Sequence, residues 1–435
     1  MVVNKQLIIL VSMIWLILSY LYLLHTPIDH RVHDMWGHVD YSMIITRQHR
    51  FPKPQEGHET YHPPLYYLIN TALTTKWWMG KEIKIDRNQH VKDVRYLSVL
   101  YGELALLIMV WFLQKMKVTS FQGLLILLFI ATTPKFMFVF STYNNDSLET
   151  LLCMAVIALS YSLYLKWSNK LGIVLLIVAT AGLYTKYTMI ACIVTVSLIT
   201  LKNLWRWKIP NENSIKIVRI LILSIILLFP WLYFHNYRIT GKLFPSNVDR
   251  KLSRNFQESI HLLTQVIKIP IIQFREHEWD EPWIYPTDGG PIKGAHQATK
   301  NYDFLSFIFV NSIIGEFKFH KPEPVFTWII FYIQLVVYFF GLREILRSDI
   351  CKSSFALLMF SHLMLLFYVA RFRLPAGCNM DYRFICWNWV GLAVLYASAI
   401  LNNKSNALRI FSSLLFFGII IHVYILMTVR GGSFI

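Results

Sequence analysis

The sequence predicts an all-α polytopic membrane protein, and three observations carry that prediction. The chain has 435 residues, of which 55% are hydrophobic, above the roughly 45–50% apolar content of soluble domains. The apolar residues fall into about eleven runs, most of them near the ~17–25 residues that a bilayer-spanning helix needs. The Lys and Arg residues that are not balanced by acids lie mainly in short connections on one side of these runs, as the positive-inside rule describes.

The first apolar run follows a single basic residue, Lys5, and no small-residue cleavage site precedes His25. We therefore expect a retained first span and not a removed signal peptide. The short run at 171–184 is the weakest of the set. The predicted spans are 6–24, 95–114, 121–139, 147–165, 171–184, 187–201, 217–234, 325–340, 355–370, 384–401 and 410–429.

The formal charge of +17 would favour a nucleic-acid partner in a soluble protein, so the location of the charges decides its meaning. Threading the spans with the N-terminus inside collects most of the unbalanced Lys and Arg on the cytoplasmic side. The two long loops, 25–94 and 235–324, then face away from the cytoplasm with nearly balanced charge. We expect one membrane domain, 1–435, contacting membrane lipid and no nucleic acid.

The first long loop is rich in histidine and acid, and it contains the residues best suited to chemistry. Apolar spacing predicts a helix over 35–48 in the headgroup layer, with Asp34 at its start and an apolar face of Trp36, Val39, Met43 and Ile44. Asp34 and His38 share a face of that helix, and a carboxylate beside an imidazole can act as general base. The alternative is that Asp34 only caps the helix while His38 lies at the interface. Asp40 points elsewhere.

A second short helix is expected after Pro63 and Pro64, running to about Trp78. We place it on the extracytoplasmic surface, because counting it as a span would invert the charge asymmetry. His62 lies just before it, four residues after His58, but turn residues separate this pair from the other acids, so no single helix is expected to present both histidines as a zinc triad with a carboxylate. The sequence therefore predicts no metal site, and it leaves divalent-metal dependence open.

Several charged residues are expected on the same side of the membrane as Asp34. Cations at the membrane surface suit the binding of a phosphate whose lipid tail lies in the bilayer, and phospholipid anchoring is the alternative for each of them. Glu103 and Glu149, in or beside spans, are functional candidates that could instead pair with a base such as Arg95. The other candidates are Asn145, Asp146, Lys186, Arg371, Arg373 and Arg383.

Six segments in this order resemble the GT-C membrane glycosyltransferases, above all the branch of protein O-mannosyltransferases and lipid A aminoarabinose transferases. They are HDMWGHVDY, ETYHPPLYYLI, STYNNDSLETLL, GLYTKYT, FHNYRITGKLFP and MDYRFI, and they extend over most of the chain. HPPL is the most specific piece. The sequence departs from the family where His235 replaces a common Arg and where Asp381 and Tyr382 precede Arg383.

The resemblance implies sugar transfer from a polyprenyl-phosphate donor on the extracytoplasmic face, by a GT-C-like bundle. Asp34 matches the catalytic base and His38 the histidine one turn later. Lys186 and Arg383 match basic positions near the donor phosphate, with Arg371 and Arg373 as further candidates. Asp40, His62, Asn145 and Asp146 are expected to line the substrate loop. The resemblance identifies no cofactor with certainty; the polyprenyl-phosphate sugar is a substrate.

Two other readings remain open from the sequence. A transporter or lipid-linked-sugar flippase would use the same charges without covalent chemistry, but it predicts inverted repeats that are not evident. A catalytically inactive relative serving as an assembly subunit is the other. The acceptor, whether protein, lipid or glycan, and the sugar are not readable, and both the bacterial inner membrane and the endoplasmic reticulum fit.

Overall fold

The computed structural model describes residues 5–26, 28, 34–75, 86–115, 120–201, 211–245, 329, 349–371, 382–401 and 413–423. Regular structure in these ranges is helical throughout. The first part holds α1 Lys5–His25, α2 Met35–Gln48, α3 Leu65–Thr75, α4 Arg87–Lys115, α5 Ser120–Ala131, α6 Pro134–Val139, α7 Asp146–Leu165, α8 Asn169–Leu183, α9 Met189–Thr200, α10 Glu212–Pro230 and α11 Arg238–Thr240. The later part holds α12 Asp349–Arg371, a 3₁₀ segment Tyr382–Asn388, α13 Trp389–Leu401 and α14 Ser413–Val423.

Four of the described helical stretches are long and apolar enough to cross a membrane: Ile8–His25, Arg87–Lys115, Asp146–Leu165 and Glu212–Thr240. Shorter apolar helices lie at Asn169–Leu183, Met189–Thr200, Lys352–Leu366 and Ser413–Val423. The all-α membrane fold is thus confirmed. The predicted span 325–340 lies outside the described residues except for Ile329.

The predicted span 121–139 is wrong as a single helix, because it divides into α5 and α6. Thr132 and Thr133 separate the two helices, and Pro134 opens the second. Proline has no backbone N–H and disfavours helical conformation in the residue before it, so the chain breaks there. Another break follows Pro230, where α10 passes into a π-helix, Trp231–Tyr237.

The helix predicted over 35–48 is confirmed, but its buried face differs from the predicted one. Trp36 is exposed and Ile44 is half-buried, whereas Val39 and Met43 are buried as expected. The buried face also carries polar side chains, namely His38, Ser42 and Thr46. The helix therefore packs a polar inner surface against α3, which places its histidine inside the protein.

Several of the described helices contact α7, near whose N-terminal end Asp146 lies. This helix packs against α4, α8, α9 and the 3₁₀ segment. Arg95 of α4 is buried and donates to the carbonyl oxygens of Thr26 and Ser141. Arg95 thus ties the chain segments before α2 and before α7 to one helix, in contacts with backbone and not with the acids suggested by the sequence.

Candidate active site

Asp34 begins α2 in a left-handed backbone conformation, with φ 57° and ψ 14°, and its side chain makes no capping hydrogen bond to the helix. Its Oδ1 lies 3.1 Å from His58 Nε2, and its Oδ2 lies 3.9 Å from an Arg383 terminal nitrogen. The side chain is 32% exposed. The capping alternative is therefore wrong, and the carboxylate points toward other ionisable groups.

His38 lies one turn after Asp34 and is buried. Its Nδ1 is 2.7 Å from the Tyr67 hydroxyl of α3, and its ring stacks near that of His62 with centroids 6.1 Å apart. Burial lowers the pKa of His38 to about 4, a shift that the neighbouring carboxylate of Glu59 reduces. The imidazole is therefore neutral at pH 7 and is held by a hydroxyl from a second helix.

Glu59 is a buried acid of the same cluster that the sequence analysis did not single out. One carboxylate oxygen is 2.7 Å from His62 Nε2, and the other is 3.5 Å from His58 Nε2. Burial favours the neutral acid, but the imidazoles of His62 and His38 outweigh it and hold the pKa of Glu59 below its ordinary value. Glu59 thus carries a charge that orients two histidines.

The approach of Glu59 to α2 depends on Gly37. A Cβ atom at this position would lie 2.8 Å from Glu59 Cγ and 3.3 Å from its Cβ. Such contacts are shorter than packed carbon atoms allow. The glycine in HDMWGH therefore permits the loop to lie directly against the helix.

A second cluster surrounds Asp146 at the start of α7. Lys186, in the turn between α8 and α9, is buried and forms an ion pair with Asp146, and its Nζ lies 4.0 Å from Glu149 Oε2. Burial lowers the pKa of Lys186, but Asp146 and Glu149 outweigh that effect and raise it above its ordinary value. The lysine is thus a permanent cation in a buried position.

Arg383 joins the two clusters. Its guanidinium lies 3.9 Å from Asp34 Oδ2 and 4.0 Å from Asp146 Oδ2. It also stacks over the Phe384 ring, 5.1 Å from the centroid, while Lys186 Nζ lies 5.2 Å from the same centroid. The later helices thus bring a cation between two acids of the first half of the chain.

The structure brings together six of the candidate residues, which are Asp34, His38, His62, Asp146, Lys186 and Arg383. Asn145 is buried beside Asp146, and its amide nitrogen has no hydrogen-bond partner among the described residues. Asp40 lies elsewhere, half-exposed, with Oδ1 3.1 Å from Arg87. Arg371 ends α12, but its side chain is outside the described part of the structure, as is all of Arg373.

His58, Glu59 and Tyr67 complete the site beyond the candidates named from the sequence, and Glu149, which was named as a functional candidate, lies beside Lys186. The spacing of Glu59 and His62, three apart before Pro63, was the available signal for a local acid–imidazole pair. Glu149 accepts a hydrogen bond from Thr188, one turn after Asp146. The contact of His58 with Asp34 depends on a chain reversal that spacing does not predict.

The supporting contacts connect the clusters to the bundle. Leu65 donates its backbone N–H to the Tyr184 carbonyl at 2.9 Å, which ties the start of α3 to the turn that carries Lys186. Asn236 of the π-helix donates to the Tyr187 hydroxyl at 2.7 Å. His235 Nε2 lies 3.1 Å from the Pro52 carbonyl oxygen. These bonds fix the lysine turn and the loop of Glu59 to common elements.

Residues 70–234 match the family model described as dolichyl-phosphate-mannose-protein mannosyltransferase. Asp146, Glu149 and Lys186 fall inside the match, whereas Asp34 and Arg383 lie outside it. No curated protein matches the chain by sequence.

The fold is similar to the crystal structure of ArnT from Cupriavidus metallidurans in the apo state, with a TM-score of 0.51 and 11% sequence identity. That match covers 91% of this chain, which spans 60% of the length of the ArnT chain. Over residues 70–234 by sequence, and in its fold, the chain is thus similar to the GT-C membrane glycosyltransferases.

Proposed function

We propose that the protein transfers a sugar from a polyprenyl-phosphate donor to an acceptor hydroxyl or amine on the extracytoplasmic face of the membrane. The observation that carries the proposal is the position of Arg383, within 4.0 Å of both Asp34 and Asp146. A carboxylate that can take a proton and cations that can hold a phosphate are therefore parts of one site.

The proposed reaction is a single displacement at the anomeric carbon. Asp34 takes the proton of the acceptor as the acceptor atom bonds to that carbon, and the bond to the phosphate oxygen breaks with its electron pair leaving on the phosphate. Lys186 and Arg383, with Arg371 and Arg373 as further candidates, stabilise the charge on the departing phosphate. One displacement inverts the configuration at the sugar carbon.

The acid–cation arrangement fits a phosphate leaving group better than a glycosidic one. Glycoside hydrolysis uses a pair of carboxylates because a sugar alkoxide must be protonated as it leaves. A phosphate leaves as a stable anion, so cations replace the acid. Here Asp34 is partly exposed toward an incoming acceptor, while Lys186 is buried with Asp146, which supports a division between proton acceptance and phosphate binding.

The charge pattern supports the proposed side of the membrane, and the similarity to GT-C enzymes supports the proposed donor. The loop 25–94, which contains Asp34, is expected to be extracytoplasmic because the short connections on the other side hold most of the unbalanced Lys and Arg. Labelling of a single cysteine introduced at Gln55, in the exposed part of that loop, by a membrane-impermeant reagent added outside right-side-out vesicles would support this assignment. Labelling only after permeabilisation would overturn it.

The decisive experiment compares Asp34→Asn with Asp40→Asn in purified protein given a panel of polyprenyl-phosphate sugars. Loss of the Asp34 base is expected to lower donor consumption by roughly 10²- to 10⁴-fold, the range typical of general-base catalysis. Asp40→Asn, six residues away and paired with Arg87 at the surface, is expected to retain activity. Nuclear magnetic resonance of the product would report inversion.

Normal turnover by Asp34→Asn would contradict the assignment of the base. Movement of the intact donor across liposomes with no consumption by the wild-type protein would instead support the flippase alternative.

A further inference from the structure

The loop side of the site holds three potential metal ligands in one place. Asp34 Oδ1, His58 Nε2 and a Glu59 carboxylate oxygen all lie within 4.8 Å of one another. We propose that these three side chains bind a divalent cation of the zinc or manganese class. The histidine spacing alone did not predict such a site, because Asp34 lies 24 residues before His58 in the sequence.

The distances among the ligand atoms suit direct coordination. His58 Nε2 lies 3.1 Å from Asp34 Oδ1 and 3.5 Å from Glu59 Oε1. Zinc bonds to nitrogen and oxygen are about 2.0–2.1 Å long, which places two ligands of a tetrahedral ion about 3.3 Å apart. The Asp34 and Glu59 oxygens lie within 4.8 Å of each other, so a cation between the three atoms would draw these two oxygens closer together.

The charge and the supporting contacts also suit a divalent ion. Two carboxylates and one neutral imidazole carry two negative charges, while the Arg383 guanidinium lies 3.9 Å from the other Asp34 oxygen, Oδ2. Glu59 is held from behind by His62 Nε2 at 2.7 Å, and Gly37 lets its side chain lie against α2. Hydrogen bonds of this kind orient metal-binding carboxylates and raise metal affinity.

The three ligands leave a coordination position toward solvent. The side chain of Glu59 is 5% exposed, that of Asp34 is 32% exposed and that of His58 is 60% exposed, so the site is anchored on one side and open on the other. Three protein ligands with an open position are typical of zinc sites that bind a water or a substrate. If the proposed function holds, that position lies where an acceptor hydroxyl would meet Asp34.

A protonated His58 bridging two carboxylates would produce the same contacts without a metal. Isothermal titration of the detergent-purified full chain with Zn²⁺ alone, and separately with Mn²⁺, distinguishes the two. We expect one ion to bind per chain. His58→Asn and Glu59→Gln should each weaken that binding by more than the roughly 10- to 100-fold typical of losing a group outside the ligand shell.

His49→Asn is the matched control, because His49 is an exposed histidine at the end of α2 with φ 51°, a conformation that asparagine tolerates. It should bind the ion as the wild type does. Equal weakening by all three variants would overturn the site, as would no binding by the wild type. His58→Asn changes an exposed residue, so its result stands even if the buried Glu59→Gln variant fails to fold.

Metal binding and sugar transfer can fail separately. If the wild-type protein binds the ion but consumes no donor, the metal site is supported and the proposed sugar transfer is overturned. If the wild-type protein binds no ion and still consumes donor after chelation, the proposed sugar transfer is supported and the metal site is overturned.

Discussion

The two ends of the site differ in the kind of charge they hold. Around Asp34 the partners are mainly imidazoles, namely His38, His58 and His62 with Glu59. Around Asp146 they are Lys186 and Arg383, which stay protonated at every physiological pH. An unperturbed imidazole gains or loses a proton near neutrality, whereas burial keeps His38 neutral there. The first cluster therefore suits proton transfer and metal binding, whereas the second suits a ligand of constant negative charge.

The largest effect is expected when Lys186, the buried cation of the second cluster, is removed. Lys186→Met leaves Asp146 and Glu149 buried with less compensating charge, and loss of one partner of a buried ion pair costs about 3–5 kcal/mol. We expect the free energy of unfolding in detergent to fall by that order, together with donor turnover. Denaturant titration monitored by tryptophan fluorescence would measure the stability.

The double variant Lys186→Met with Asp146→Asn is the control. It should recover much of the stability, because the charge of Asp146 is then removed together with that of Lys186. It should recover no turnover. Recovery of turnover would show that the lysine acts only through its pairing with Asp146.

The imidazole cluster, in contrast, is expected to respond to pH. The pKa of His38 is lowered by burial to about 4, so the unfolded chain binds more protons than the folded chain between pH 4 and about 6.5. Stability should therefore be complete above pH 6.5 and fall as the pH is lowered, by about 3 kcal/mol from this residue. The pH profile of the unfolding free energy would measure it.

His38→Asn should flatten that profile between pH 6.5 and 4, whatever its cost at pH 7. The pKa of His58 is raised by its hydrogen bond with Asp34, so its contribution has the opposite sign and is lost as the pH rises. An unchanged slope in His38→Asn would place the acid sensitivity elsewhere.

A smaller effect tests how the neutral imidazole is held. Tyr67→Phe removes the hydroxyl that lies 2.7 Å from His38 Nδ1 and leaves the packing of the ring in place. Loss of one such hydrogen bond should lower the unfolding free energy by about 1 kcal/mol. Donor turnover should fall less than in Asp34→Asn. A loss of turnover as large as that of Asp34→Asn would instead assign the hydroxyl a role in the reaction.

The smallest effect is expected outside both clusters. Arg87→Ala removes the half-exposed ion pair with Asp40, and pairs of this kind contribute about 0–1 kcal/mol. Turnover and stability should both stay close to those of the wild type. A large loss would show that Asp40 belongs to the site after all and would remove the contrast between the clusters and the surface.

Local pattern predicted the elements of the site better than it predicted their contacts. Helical spacing gave the bounds of α2, and the acid at its start was recognised as Asp34. Spacing could not show that the polar face of α2 is buried, because its hydrogen bonds with Tyr67 and Tyr143 form only when distant segments pack together. The exposed Trp36 was assigned to the wrong face for the same reason.

Contacts between distant segments account for the rest. Glu59 and His58 reach Asp34 through a loop whose close approach depends on Gly37. The side-chain rotamers of such loops follow from packing and not from periodicity. Arg383 was proposed from the family resemblance, and its position between Asp34 and Asp146 could not be derived from a sequence separation of most of the chain.

The place of Arg383 in the chain has a consequence for biosynthesis. Asp34, Glu59, Asp146 and Lys186 all emerge from the ribosome well before Arg383, the arginine that links their two groups. A nascent chain that has already inserted its early helices would thus lack the bridging cation. On the proposed function, activity would therefore begin only when the segment that carries Arg383 has been added.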